Sequence, residues 1–330
     1  MDKLDSYHLP VTGRNILRFA FPTIVMTVFN TFYTMVDGLF VSNLIGMEAL
    51  SALNLTTPAI ALITAISGML ATGGSAVVMK KMGEGREQEA RQDFTLLILT
   101  NAVVGGVMML LGYPLMDTLL GAMDLSPSVF GYCHTYLSNY LLFNLAMLKY
   151  IGEDGVAAIT IIMYMLMFVS ALFIGYSYGV APMISYYHGE QNHEKLKKLV
   201  GFSVKFIVGA SVLCTAISIL ATVPLVGIFT RPDSPVHELA VTGNRLCSIA
   251  LLFVGLNVFA SGMFTALSNG VVSAVLAFSR SFLFTVASIQ IMPVLLGGVT
   301  GVWLATPVAE LLGTVMAAAL LLKYRKRYGY

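Results

Sequence analysis

Charge is what this sequence has least of. Only 11% of its 330 residues are Asp, Glu, Lys or Arg, where soluble domains carry roughly 25%. That shortage excludes an ordinary soluble globular domain. The formal net charge is only +2, so no nucleic-acid partner is expected. Cysteine is scarce as well. Cys133, Cys214 and Cys247 are scattered through apolar segments, at spacings that match no metal site or thiol-redox motif, and are expected to be small buried hydrophobes. No catalytic triad, Asp-rich metal motif or metal-ligand cluster occurs, and the Gly-rich stretches do not match a phosphate loop. Neither an enzyme nor a metal or other cofactor is therefore expected. Met1-Asp2-Lys3-Leu4-Asp5 lacks the basic start and apolar core of a cleaved signal peptide, and none is expected.

What the chain has is apolar length. It is 57% hydrophobic, with a mean hydropathy of +0.81. Apolar stretches of about 20 residues are too long for buried core helices and read as transmembrane helices. About nine helical candidates follow, at 16–44, 50–79, 95–116, 129–148, 155–187, 200–229, 240–267, 271–297 and 299–322. The expected fold is an all-α integral membrane protein, a polytopic helical bundle. Pro22 inside the first candidate removes a backbone hydrogen bond and predicts a kink. The fourth candidate, 129–148, is the most polar, with His134, Ser138, Asn139 and Asn144.

Asp37 is the only carboxylate in the first apolar run. A charge at membrane depth is costly, faces a cavity or a partner, and marks an ion or substrate path. Asn30, Tyr33, Thr34 and Asp37 share one helical face. An anionic oxygen with amide and hydroxyl oxygens beside it suits a protonation site or part of a Na⁺ shell. An Asp that only hydrogen-bonds a neighbouring helix is the structural alternative. Glu310, three residues after Pro307 in the last segment, is the other intramembrane carboxylate. It suits a cationic substrate, a basic partner, or burial against a hydroxyl such as Thr306 or Thr314. Arg280 is expected to snorkel to the interface, and so is Arg245. Met163, Met165, Met167 and Phe168 are candidates for a cavity that accepts varied apolar cations, with ordinary helix packing as the alternative.

The chain repeats itself. Gly46-Met47-Glu48-Ala49-Leu50-Ser51-Ala52-Leu53 resembles Gly152-Glu153-Asp154-Gly155-Val156-Ala157-Ala158-Ile159 at an offset of 106. The same offset carries Gly73 onto Gly179 and Gly83-Glu84 onto Gly189-Glu190. An offset of 110 carries Pro114-Leu115 onto Pro224-Leu225 and Leu141-Leu142-Phe143 onto Leu251-Leu252-Phe253. Two repeated helical units of this kind build the halves of transporters, with the substrate path between them.

Several of these stretches resemble one family. Val36-Asp37-Gly38-Leu39-Phe40-Val41 with Gly46 to Leu53 is similar to the first helix and following turn of the multidrug and toxic compound extrusion (MATE) family. Gly73-Gly74-Ser75-Ala76, with Gly83 to Ala90, resembles the end of its second helix and the next loop. Gly179 to Ile184, running to Gly189-Glu190-Gln191-Asn192, resembles the matching point of the second lobe, and Trp303 to Glu310 the last helix. The resemblance implies two lobes of six helices and export of drugs or organic cations in exchange for H⁺ or Na⁺. It also implies cation coupling at Asp37. About nine candidates stand in place of twelve, with family helices five to seven unrepresented. The N-terminal lobe would then be 1–148, holding family helices one to four. The C-terminal lobe would be 149–330, holding helices eight to twelve. A lipid-linked oligosaccharide flippase of the same superfamily, and a non-transporting membrane remnant of an internal deletion, are the alternatives.

Lys and Arg stay on the cytoplasmic side. Four basic clusters stand out: Arg14 and Arg18; Lys80, Lys81, Arg86 and Arg91; Lys195, Lys197 and Lys198; and Lys323, Arg325, Lys326 and Arg327. All four reach one side only if 129–148 makes no net crossing. The expected setting is the plasma membrane, a bacterial inner membrane by the family resemblance. The expected partners are the lipid bilayer and small organic cations or drugs.

Overall fold

The structure, a computed structural model, describes residues 10–44, 66, 68–121, 153–230 and 232–330. Among them every regular element is a helix. Helix α1 spans Gly13–Leu44 and passes through Pro22 without ending. Helix α2 covers 68–83. Helices α3 (Glu87–Gly121) and α4 (Glu153–Gly189) follow. The apolar run predicted at 200–229 divides: α5 is His193–Leu220, and a five-residue α6 covers Thr222–Val226. Pro224 sits in the first turn of α6, where its missing N–H costs nothing. Helix α7 (Pro235–Cys247) begins on a Ser234 cap and continues through a 3₁₀ turn into α8 (Leu251–Ala266). Helix α9 (Gly270–Phe278) continues through a π-helical turn, Ser279–Phe284, into α10 (Thr285–Leu296). Helix α11 is Gly298–Tyr328.

Five of these stretches are long and apolar enough to cross a membrane: Ala158–Gly189, His193–Leu220, Pro235–Ala266, Gly270–Leu296 and Gly298–Tyr328. The bundle is that of a multi-pass membrane protein. Segment 129–148 and the boundary between 148 and 149 lie outside the described residues.

The repeat read from the sequence is visible in the backbone. Helices α2 and α4 end at Gly83 and Gly189, and α3 and α5 begin at Glu87 and His193, each pair 106 apart. Between them Gly85 and Gln191, also 106 apart, both take positive φ, 77° and 57°. Gln191 holds at some cost a conformation that glycine adopts freely. The two glycines at the helix ends pack reciprocally. A Cβ on Gly83 would collide with the carbonyl oxygen of Tyr186, and one on Gly189 with that of Lys80. Lys80 and Tyr186 are themselves 106 apart, so the two contacts exchange under the repeat, as a local two-fold axis requires.

That crossing fixes one end of the bundle. It joins the Lys80–Arg91 cluster to the Lys195–Lys198 cluster. The C-terminal cluster joins them, because His193 Nδ1 lies 3.1 Å from the carbonyl oxygen of Tyr328. The first cluster joins through Gly13, which faces the ring of Phe202 on α5. All four basic clusters therefore share one end, as the charge rule requires. Helix α3 runs away from this end, antiparallel to α2, with Leu97 packed against Gly74. Helix α4 runs toward it.

Two cores stack along the bundle. Near the basic end Ile16 and Ala20 of α1 pack with Tyr176, Val180 and Tyr187 of α4, Leu196 and Leu199 of α5, and Phe259 and Phe264 of α8. Toward the other end Ile159, Ile162 and Leu166 of α4 pack with Val226, Cys247, Ile289, Val302 and Trp303. Cys247 is fully buried, in agreement with its reading as a small hydrophobe.

Candidate functional site

Helix α1 reaches the rest of the bundle through α4. A Cβ on Gly179 would lie 2.7 Å from Ala20 Cα, and one on Gly175 would lie 2.6 Å from Ile24 Cα. Small residues let two backbones approach this closely. The pairing is antiparallel: as α1 advances four residues, α4 retreats four. Carried along both helices, this register puts Asp37 level with Ile162 and next to the level of Met163. Phe32 is level with Met167. Of the polar face read from the sequence, Asn30 is exposed on α1. The side chains of Tyr33, Thr34 and Asp37 lie outside the described residues. Met163 and Met167 are half-buried on α4, and Met163 packs against the second core.

Glu310 has a full set of partners. Its Oε2 accepts a hydrogen bond of 2.7 Å from Asn257 Nδ2, which also reaches the Glu310 carbonyl at 2.9 Å. Its Oε1 lies 3.6 Å from an Arg280 guanidinium nitrogen. Thr314 Oγ1 donates to Asn257 Oδ1 at 3.1 Å. Helix α8 supplies Asn257, the π turn supplies Arg280, and α11 supplies Glu310 and Thr314. Of the partners weighed for Glu310, the basic one is present, in Arg280. Thr314 takes part through Asn257 rather than by contact with the carboxylate. Thr306 Oγ1 is buried with no hydrogen-bond partner among the described residues.

Arg280 does not snorkel as expected. Its side chain turns to Glu310, and both side chains are mostly covered, at 25% and 16% exposure. A π turn offsets the helix face there, a feature common at functional positions. Thr285 Oγ1 donates to the Arg280 carbonyl at 2.9 Å, satisfying an oxygen inside that turn.

Sequence reasoning missed Asn257 and Gly313. A Cβ on Gly313 would lie 3.0 Å from Asn257 Nδ2 and 3.2 Å from Arg280 Cγ. Glycine at this point opens the space both side chains use. The available signal was spacing: Gly313 and Thr314 lie three and four residues after Glu310, on its helical face. Among the described residues no group of three or more His, Cys, Asp or Glu is arranged to hold a metal.

Comparison with known proteins agrees with this architecture. Among curated proteins, the probable multidrug resistance protein YoeA of Bacillus subtilis (strain 168) is 25% identical over 155 residues, 46% of this chain and 32% of that protein. The chain thus matches about a third of that relative's length. Among solved structures, a MATE crystallised in complex with MaL6 superposes with a TM-score of 0.85 at 16% identity, covering 99% of this chain and 98% of the other. A MOP-superfamily transporter from Pyrococcus furiosus, described as having a binding pocket of reverse polarity, superposes with a TM-score of 0.86 at 17% identity over the same shares. At such identities the likeness establishes the fold. The MatE family model matches twice, over residues 22–151 and 127–289. Together the two matches cover more than half of the chain, which therefore belongs to the MatE family.

Proposed function

We propose that the chain is a secondary-active exporter of drugs or other organic cations, driven by exchange for H⁺ or Na⁺, with Asp37 as the cation-coupling group. The family is one of membrane transporters, not enzymes. The supporting observation is the α1–α4 register, which brings the one carboxylate of the first apolar run level with Ile162, one residue from Met163. Binding of the coupling ion at Asp37 shifts the balance between inward- and outward-facing states. Asn30, Tyr33 and Thr34 supply the polar face beside it. A proton needs only the carboxylate, whereas Na⁺ needs several further oxygens. Glu310 enters this reading as a paired group, and an incoming cation meets its charge only when Arg280 moves aside. Arg280, so paired, is not free to hold the phosphates of a lipid-linked sugar, which disfavours the flippase reading.

Export of an organic cation dye from a pump-deficient host tests the proposal. The intact chain is expected to export the dye in a pH- or Na⁺-dependent way, and Asp37→Asn to abolish that dependence. Unchanged export by Asp37→Asn would overturn the assignment.

A further inference from the structure

Helices α1 and α5 both start at the basic end and run the same way, meeting where Gly13 faces the ring of Phe202. Counted from that contact, Arg14 lies level with Ser203, Arg18 with Ile207, and Lys205 between them. Viewed from the basic end, successive residues of a right-handed helix turn clockwise. On α5 the clockwise order is Lys205, Phe202, then Leu196 and Leu199 in the core. On α1 it is Ile16 and Ala20 in the core, then Gly13, then Arg14 and Arg18. The three cations therefore flank the contact on one outer side. All three are exposed, and no ion pair engages them among the described residues. The one carboxylate of α5, Glu194, holds Lys198 at 2.6 Å, and α1 carries only Asp37, far along the helix.

The repeat indicates that the fold does not require these charges. Position 205 lies 106 after Leu99, an exposed leucine of α3. In the α2–α3 loop, by contrast, Lys80, Lys81 and Arg86 each meet a carboxylate. Lys205 sits about 18 Å along α5 from its start, on an outer surface where a cation at membrane depth is costly. Side chains tilt back toward a helix N-terminus. That end is cytoplasmic for both helices, so Lys205 and Arg18 reach back toward the headgroup layer. Deeper in, the seam is apolar and open: a Cβ on Gly209 would meet nothing within 4 Å, and Leu213 and Phe21 are exposed.

We propose that this seam binds one anionic phospholipid of the cytoplasmic leaflet. Its phosphate sits among Arg14, Arg18 and Lys205, whose guanidinium and ammonium groups donate charge-assisted hydrogen bonds to the oxygens. An acyl chain lies along the strip over Gly209 and Leu213, with Phe21 on the other wall. Basic pockets between membrane helices on the cytoplasmic side hold anionic headgroups in this way. The bound lipid ties α1 to α5, so its binding registers as stability of the bundle. The site is separate from Asp37, and occupancy does not depend on transport.

Thermal unfolding of the purified full chain in detergent, titrated with phosphatidylglycerol, tests this. A saturable rise in the unfolding midpoint is expected with phosphatidylglycerol, and none with phosphatidylcholine or with inorganic phosphate. Lys205→Leu places at 205 the side chain found at position 99, and is expected to keep the unliganded midpoint. Lys205→Leu and Arg18→Gln are each expected to raise the half-saturating lipid concentration roughly fivefold. Arg91→Gln removes the same charge from α3 and is expected to leave the titration unchanged. An equal rise with phosphatidylcholine, or with inorganic phosphate at the same concentration, would overturn the proposal. So would an unaltered titration in Lys205→Leu or Arg18→Gln. A loss in Arg91→Gln as large as in Lys205→Leu would overturn it as well, by tracing the effect to net charge at this end rather than to the seam.

Discussion

The basic end of the bundle and the middle of α11 both carry opposite charges in contact, yet only one of them is held by those charges. At the basic end Lys81 meets Asp93 at 2.6 Å and Glu89 at 3.4 Å, and Arg86 bonds both Glu84 and Glu89. Water reaches all of these groups, and exposed pairs of this kind contribute little to stability. What holds that end is the reciprocal approach of Gly83 and Gly189 to the facing backbone. In the middle of α11 the order reverses. There Arg280, Glu310 and Asn257 are mostly covered and link α8, the π turn and α11 directly. Charge density alone does not reveal which region depends on charge; access to water does.

The strongest way to break the basic end is therefore to add a methyl group and leave every charge in place. Gly189→Ala drives a Cβ into the Lys80 carbonyl, and Gly83→Ala drives one into that of Tyr186. Backbone against backbone has no flexible end to yield, so each is expected to cost about 3 kcal/mol or more. Gly73→Ala is the control. It occupies the position 106 before Gly179, and a Cβ there meets nothing within 4 Å. Its effect is expected to be neutral or stabilising by up to about 1 kcal/mol, through helix propensity. Thermal unfolding in detergent reads all three, and equal losses for Gly73→Ala and Gly189→Ala would break the comparison.

The middle of α11 is tested by removing one charge and then both. Arg280→Ala leaves the Glu310 carboxylate largely covered with Asn257 as its remaining partner, and is expected to cost about 3 kcal/mol. The double replacement Arg280→Met with Glu310→Leu removes the uncompensated charge and is expected to recover most of that loss. The same thermal unfolding measurement decides. A double variant as unstable as Arg280→Ala would mean that shape, not charge, governs the cluster.

The two regions were not equally legible in the sequence. The basic end was: a shared offset with a Gly-Glu pair in each loop announced the repeat, and the Lys/Arg clusters announced a common side. Glycine at a crossing leaves a mark because no other residue fits, so Gly83 and Gly189 stand out. The bundle class was legible for a similar reason, since apolar length has few other uses. The α11 cluster was half legible. Glu310 stood out as a charge in an apolar run, but its partners did not. Arg280 is 30 residues away and Asn257 is 53, and their meeting depends on how three helices rotate against one another. A π turn shifts a helix face without altering composition, so hydropathy placed Arg280 at an interface. The break between α5 and α6 was missed because Pro224 lies inside an unbroken apolar run.

The smallest expected effect belongs to the charges of the basic end, and it depends on pH. Arg86 donates to both carboxylate oxygens of Glu89, and that bonding holds the Glu89 carboxyl below its ordinary value of 4.5. Glu89 lies in the first turn of α3, ahead of the apolar run that begins at Thr95. The ionised form is the one bound, so its contribution is complete above the ordinary carboxylate range. It is lost as pH falls below that range through the depressed value. Because Glu89 is exposed, salt screens the pair. Between neutral pH and about pH 4, Glu89→Gln and the parent chain are expected to unfold within experimental error of each other, and high salt should erase any residual gap. A clear loss in Glu89→Gln at neutral pH that survives high salt would show that these charges do hold the crossing. The basic end and the middle of α11 would then depend on charge alike.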